Sequence, residues 1–268
     1  MKDAAKDSQH SLDRHRALDA FHAYVAAYDP TNPRIALKVA HTLRVAGLCE
    51  RIARSIPLDS DDVDLAWLLG LVHDIGRFEQ VKRYDTFNDA ASVDHAALGA
   101  EVLFEVGADG IPLIRRFADC EADDELIRTV VKEHSSYRVP AGLDTRAHTL
   151  CDVLRDADKI DILQVNCTSP IEDIYGISEQ TMLESALSPE CVEIYYEHRC
   201  LPRGTRRFPA DVMLGHICFV WELVYDESLR IIREQGHLRK MLDREWANPD
   251  TTQSFREMAA HMKSERAI

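Results

Sequence analysis

The chain has 268 residues, of which 46% are hydrophobic and 29% charged, and it is long enough to bury a sizeable core in one large domain or two small ones. Forty-six acids against 32 basic residues leave a net charge of −14, which would repel a polyanionic duplex on average and argues against nucleic acid as the main partner. No run approaches the roughly 20 apolar residues that span a bilayer, and the charged opening "MKDAAKDSQHSLDRHRALDA" has no secretory core, so a cytoplasmic protein with no membrane partner is expected.

In chain order the pattern is helix after helix, with apolar residues recurring every three or four positions and little strand-like alternation. A polar opening leads to a helix around "LDAFHAYVAAY", ended by Asp29-Pro30. The next helix starts near Pro33 and runs to about Ser55, with Leu37, Val45, Leu48 and Ile52 on one stripe and His41 on that same stripe. "LDSDDVDLAWLLGLVHDIG" offers Ser60 as N-cap, aspartates in or near the first turn and Gly76 at its end. Apolar on nearly every side, it should be the buried centre. "GRFEQVKRYDTFNDAAS" reads as a long, polar, functional loop. Helices follow at "DHAALGAEVLFEV", "PLIRRFADC", "DELIRTVVKEH" and "RAHTLCDVLRDADKIDILQV". After Cys167 come "SEQTMLESAL", "PECVEIYYEHR" and a long amphipathic stretch, "ADVMLGHICFVWELVYDESLRIIREQ". The tail from Asn248 has little apolar content. No repeat or linker is evident, so one all-helical domain over 1–268 is the economical expectation.

Seven cysteines, at 49, 120, 151, 167, 191, 200 and 218, are scattered and never form a C-x-x-C pair. They read as reduced thiols rather than a disulfide framework or thiolate zinc site. Chemistry concentrates instead at His41, at His73-Asp74 closing the most apolar helix, and at Asp158 beyond Leu154. Polar or charged groups in apolar helices need partners, because an unpaired one costs several kcal/mol to bury. A divalent metal would satisfy all four together and supply an activated water. For Asp156, Asp158 and Asp161 taken singly, a solvated acidic face is the competing reading.

The order H…HD…D, in "HTLRVA", "LLGLVHDIGRF" and "LRDADKIDIL", resembles the HD-domain superfamily of metal-dependent phosphohydrolases across about residues 35–165. The resemblance implies an all-α helical bundle with N- and C-terminal helical elaborations, the latter at about 170–245. It also implies that His41, His73, Asp74 and Asp158 ligate a divalent metal, Asp158 filling the slot after alanine in "DADK". Mixed nitrogen and oxygen ligation suits Mn, Fe, Co, Ni or Zn better than Mg. His95 and His134 stand where two-metal members carry further histidines, so one or two ions are expected, with phosphate contact or helix capping as the other role for these two. The HD-GYP pattern is absent, since Glu133-His134-Ser135 and "YRVP" stand in its place, and cyclic-dinucleotide hydrolysis is not expected.

Asp74 is expected to orient the water or bridge two ions, and Arg77 to hold phosphate with its planar fork. Lys159, Lys82 and Arg83 are weaker phosphate candidates. Phe78, Tyr84 and Phe87 are candidates to stack on a base or to pack the loop. The substrate implied is a nucleotide or related small phosphoester. Two further functions compete: a di-iron HD-type oxygenase, with ligand order H…HD…H…H…D, and a regulatory metal-binding module without activity. The intact ligand set weighs against the latter. No Rossmann, Walker A, G-x-S-x-G or H-E-x-x-H signature is present. Homo-oligomerisation is compatible with the composition but not fixed by it.

Overall fold

A 13-residue helix buried on every side organises the molecule: α3 (Ser60–Val72) buries Val63 and every residue from Leu65 to Val72. In the computed structural model residues 12–264 are described; the charged opening over 1–11 and residues 265–268 lie outside them. Before α3 come α1 (Arg14–Val25) and α2 (Pro33–Ala53). Asn32 caps α2 by accepting from the Arg34 amide, with Pro33 in the first turn, where its missing N–H costs nothing. The α3 cap is Asp59 rather than Ser60, its carboxylate accepting from the Asp62 amide. A full charge facing the helix dipole displaces the hydroxyl by one position.

The segment expected as a long loop is half helix. α4 spans Ile75–Tyr84 and buries Ile75, Phe78 and Val81 along one face. Five charged or amide-bearing side chains in ten residues hide that three-residue period. Only 85–94 is irregular, with a 3-10 turn at Asp89–Ala91. α4 crosses α5 (His95–Phe104) almost in backbone contact: a Cβ on Gly76 would lie 2.3 Å from the His95 carbonyl oxygen and 2.5 Å from the Gly99 nitrogen. Gly76 is therefore required for packing, and does not simply end α3.

The core continues through α6 (Ile114–Phe117), α7 (Asp124–Glu133) and the 24-residue α8 (Thr145–Thr168). α8 is a shared wall. One side packs on α2, α3 and α7; the other receives the C-terminal helices. These are α9 (Ile171–Tyr175), α10 (Glu179–Leu183), α11 (Pro189–Tyr196), α12 (Pro209–Ile217), α13 (Asp226–Gln235), α14 (His237–Leu242) and α15 (Pro249–Ser264). The stretch expected as one long amphipathic helix is broken between α12 and α13 by a 3-10 turn, Cys218–Glu222. The buried Asp156 carboxylate accepts from the Val224 and Tyr225 amides there, fixing the break. The tail expected to be poor in apolar residues is the helix α15, which buries Phe255, Met258 and Met262; one apolar residue per turn suffices.

No strand occurs among the described residues, so the fold is all-α. One apolar cluster runs from Ala17 to Met262. Among the described residues no helix is long and apolar enough to cross a membrane.

Candidate metal centre

Six side chains from five elements converge where α3 ends. His41 comes from α2, His73 is the last residue of α3's turn, and Asp74 is the joint to α4. His95 opens α5, His134 closes α7, and Asp158 lies mid-way along α8. Asp74 has φ −101° and ψ 17°, off the helical path, and its side chain caps nothing on α4. Its carboxylate is thereby free to turn inward. Oδ2 lies 3.4 Å from Nε2 of both His41 and His73. Oδ1 lies 3.5 Å from His95 Nε2 and 3.8 Å from His134 Nε2. Asp158 Oδ1 closes the first pair, 3.2 Å from His41 Nε2 and 3.8 Å from His73 Nε2.

Each imidazole is oriented through its other nitrogen. His73 Nδ1 is 2.8 Å from the Gly70 carbonyl and His134 Nδ1 is 2.6 Å from the Val131 carbonyl. Carbonyls only accept, so these Nδ1 atoms carry the protons and both Nε2 lone pairs face the centre. Carboxylates do the same elsewhere: Asp161 Oδ2 is 2.7 Å from His41 Nδ1, and Asp89 Oδ2 is 2.8 Å from His95 Nδ1. Such partners fix tautomer and ring angle and raise ligand basicity. His41 Nε2 and His73 Nε2 are buried with no hydrogen-bond partner, and the His95 and His134 Nε2 atoms face each other at 3.2 Å. Lone pairs so arranged fit divalent cations. The sets His41, His73, Asp158 and His73, Asp74, His134 each gather ligand atoms closely enough to hold one.

The electrostatics agree. Burial would raise the Asp74 carboxyl, but the Lys38 charge, with His73 and His41, holds it well below the usual range. Burial and Lys38 oppose protonation of His41, yet Asp158, Asp161 and Asp74 outweigh them and push it up to about 10, so a proton and a cation compete for its Nε2. His134 is pushed down to about 3, by burial and then by His95 and His73; His95 is lowered as well, by burial and Arg77. Both stay neutral near pH 7.

The solvated acidic face is corrected: Asp156 and Asp161 are fully buried. Besides His41, Asp161 grips Arg44 through two bonds of 2.6 and 2.9 Å. Arg77 is held in the interior. Its Nη1 donates to Gln80 Oε1, the Phe87 carbonyl and Asp89 Oδ1, while its buried Nε, 3.7 Å from Asp74 Oδ1, has no hydrogen-bond partner. The weaker cations lie elsewhere. Lys82 and Arg83 project from the outer face of α4 onto Glu79, and Lys159 pairs with Glu222 in a separate cleft. Phe78 is fully buried against Phe21, Tyr24 and Tyr28, so it cannot stack on a base. Tyr84 is about half exposed, and Phe87 lines the cleft at the centre.

Lys38, Asp89, Gln80 and Arg44 were not singled out from sequence. Lys38 lies one turn before His41, and its Nζ is 2.6 Å from Asp74 Oδ2, so helical spacing could have found it. Nothing local marks Asp89.

From His41 and Arg77 a cavity of about 540 Å³ runs along α8 to Asn166, Tyr175, Arg206 and His216. At its far end Tyr175 Oη donates to Asn166 Oδ1, and Asn166 Nδ2 approaches His216 Nδ1 at 3.1 Å. The His216 proton therefore sits on Nε2. Burial and the Arg206 charge push this imidazole down to about 3 from 6.5. Below pH 6.5 the unfolded chain takes up a proton that the folded one refuses, so this contribution to stability is full above 6.5 and declines as pH falls toward 3. Between pH 7 and pH 5, urea unfolding of the metal-loaded protein should show His216→Gln losing less stability than wild type, by up to about 2 kcal/mol. Parallel losses would place His216 in ordinary solvent.

The fold and centre define an all-helical protein with a buried histidine–aspartate cluster able to hold divalent cations. Residues 39–164 match the family model of the HD domain, a domain whose superfamily members bind divalent metals and are generally hydrolases. No curated protein and no solved structure gives a significant match.

Proposed function

We propose that the protein is a metal-dependent phosphohydrolase acting on a nucleotide or related small phosphoester. One observation carries this reading: two pairs of histidine Nε2 atoms face the two oxygens of one carboxylate, Asp74, at the head of a cleft lined by cations. The four residues His41, His73, Asp74 and Asp158 would hold one divalent ion; His95 and His134, with Asp74, would hold a second. Such ions polarise a phosphoryl oxygen and bring the pKa of a water from near 16 towards about 7.

The chain's own residues do the positioning. Lys38 and Arg77 line the cleft beside Asp74 and offer donors to phosphoryl oxygens. Asp161 and Asp89 hold His41 and His95 in their tautomers. Gln80 and Asp89 keep Arg77 from swinging out, and its bond to the Phe87 carbonyl ties it to the loop at the cleft mouth. A metal-reconstituted sample screened against a phosphoester panel tests the reading: inorganic phosphate should be released from at least one small phosphoester. The same six residues match the order expected of a di-iron oxygenase, which would be indicated by oxygen consumption without phosphate release.

Arg77→Ala is expected to lower kcat/KM about tenfold to hundredfold with metal content unchanged. Arg77→Lys should lose rate as well, since one ammonium cannot hold Phe87, Gln80 and Asp89 and still face the centre. Wild-type kinetics in Arg77→Ala would remove it from the site.

A further inference from the structure

The far end of the cleft is built by residues beyond the HD segment, and its cations are not equivalent. Arg34 pairs with Asp85 at 2.7 Å, Lys38 with Asp74 at 2.6 Å, and Arg77 with Asp89 at 2.8 Å. Arg203 reaches Asp89 at 3.5 Å. Arg206 alone among these cleft cations forms no ion pair with the described residues. Its Nη2 donates to a neutral acceptor, the Leu201 carbonyl, at 2.9 Å, and its Nε is buried with no partner. Burial and the nearby Arg203 charge lower its pKa. A guanidinium partly withdrawn from water, with a buried Nε and no counter-charge, is costly, and a bound anion offsets that cost.

The place is prepared for it. A Cβ on Gly215 would lie 2.7 Å from Arg206 Cζ, so only glycine in α12 lets the guanidinium lie flat against that helix. His216, the next residue, lines the same cleft with its proton on Nε2, adding a neutral donor. The wall between this end and the metal centre is apolar, with Leu37, Ile162 and Val165. From Asp158 to Asn166 along α8 the rise is about 12 Å.

We propose that Arg206 forms an anion subsite at the far end of this cleft, so that the substrate is a phosphoester carrying a second anionic group, carboxylate or phosphate, about 10 Å from the phosphoryl group at the centre. This rests on the phosphohydrolase reading for the near end only. The uncharged middle of the substrate lies along the apolar wall, and the second anion is held by Arg206 with His216 beside it.

Three probes test this on the metal-loaded full chain: hexyl phosphate, the six-carbon ω-carboxyalkyl phosphate, and hexanediol bisphosphate. Equilibrium binding by calorimetry is followed beside phosphate release. The two doubly anionic probes should bind about tenfold to hundredfold tighter than hexyl phosphate, the gain of a charge-assisted pair. The tighter of the two tells which anion the subsite takes. Arg206→Gln should erase the difference while leaving hexyl phosphate binding and metal content unchanged, and Arg206→Lys should restore part of it. Gly215→Ala, which displaces the guanidinium, should reduce it with residue 206 intact, and carries the test if Arg206→Gln fails to fold. Equal binding of all three probes to wild type, or an equal loss for all three in Arg206→Gln, overturns the subsite. An Arg206-dependent gain in binding with no phosphate released from any probe leaves the subsite standing and removes the hydrolase reading.

Discussion

Asp74→Asn is expected to empty the centre of metal and to lower phosphate release by at least about a thousandfold. The substitution keeps the side chain's shape but replaces one of its two acceptor oxygens with an amide nitrogen, which cannot be a ligand. In the wild type Oδ2 faces His41 and His73 while Oδ1 faces His95 and His134, so whichever way the amide turns, one pair of imidazoles loses its carboxylate oxygen. The negative charge goes as well, and Lys38 then brings an uncompensated positive charge to the place where cations must bind. Metal content per chain, measured beside circular dichroism, checks the effect on the centre separately from folding. Full occupancy in a folded Asp74→Asn would sink the ligand assignment. Thermal stability gives a second reading. A bound ion adds RT ln(1 + [L]/Kd), about 2.7 kcal/mol at a hundredfold excess over Kd, so a chelator should lower the wild-type Tm. The variant's Tm should hardly respond to chelator or added metal.

The sequence made the four inward groups of the H…HD…D order legible because each breaks an apolar helical pattern in which polar groups need a reason. His95 and His134 were also visible, as helix-end histidines. The groups that orient them were harder to see. Asp161 follows Asp158 by three residues and shares its helical face, yet an acidic face on a long helix looks the same whether water or His41 and Arg44 lie opposite. Asp89 sits in a loop without periodicity, and its pairing with His95 and Arg77 exists only after α4 and α5 have crossed. α4 reads as loop because its five charged or amide side chains outnumber the three apolar ones it buries, Ile75, Phe78 and Val81, and the many exposed polar residues of α15 mask its apolar face in the same way. Arg206 was invisible altogether. Its distinction is having no carboxylate partner, a property of tertiary packing that no local pattern carries.

His95→Ala and His134→Ala should each reduce metal content from about two ions per chain to about one. The two imidazoles lie on the Oδ1 side of Asp74, with their Nε2 atoms 3.2 Å apart and their Nδ1 atoms fixed by Asp89 and the Val131 carbonyl. Neutral and buried, they are poor anion ligands: with Nδ1–H committed, neither Nε2 has a proton to donate to a phosphate. That argues for ligation over phosphate contact. Either alanine variant removes one of two nitrogen donors from the second site and leaves His41, His73, Asp74 and Asp158 intact, so the first ion should stay. Activity should fall with the second ion. If His95 and His134 contact phosphate instead, both variants will keep the wild-type metal content and show a raised KM or a lowered kcat. Asp89→Asn refines the result. It keeps an acceptor for His95 Nδ1 but weakens the charge behind it, so affinity for the second ion should drop about tenfold to hundredfold without loss of the first. A wild-type content near one ion, unchanged in His95→Ala and His134→Ala, would exclude the second site.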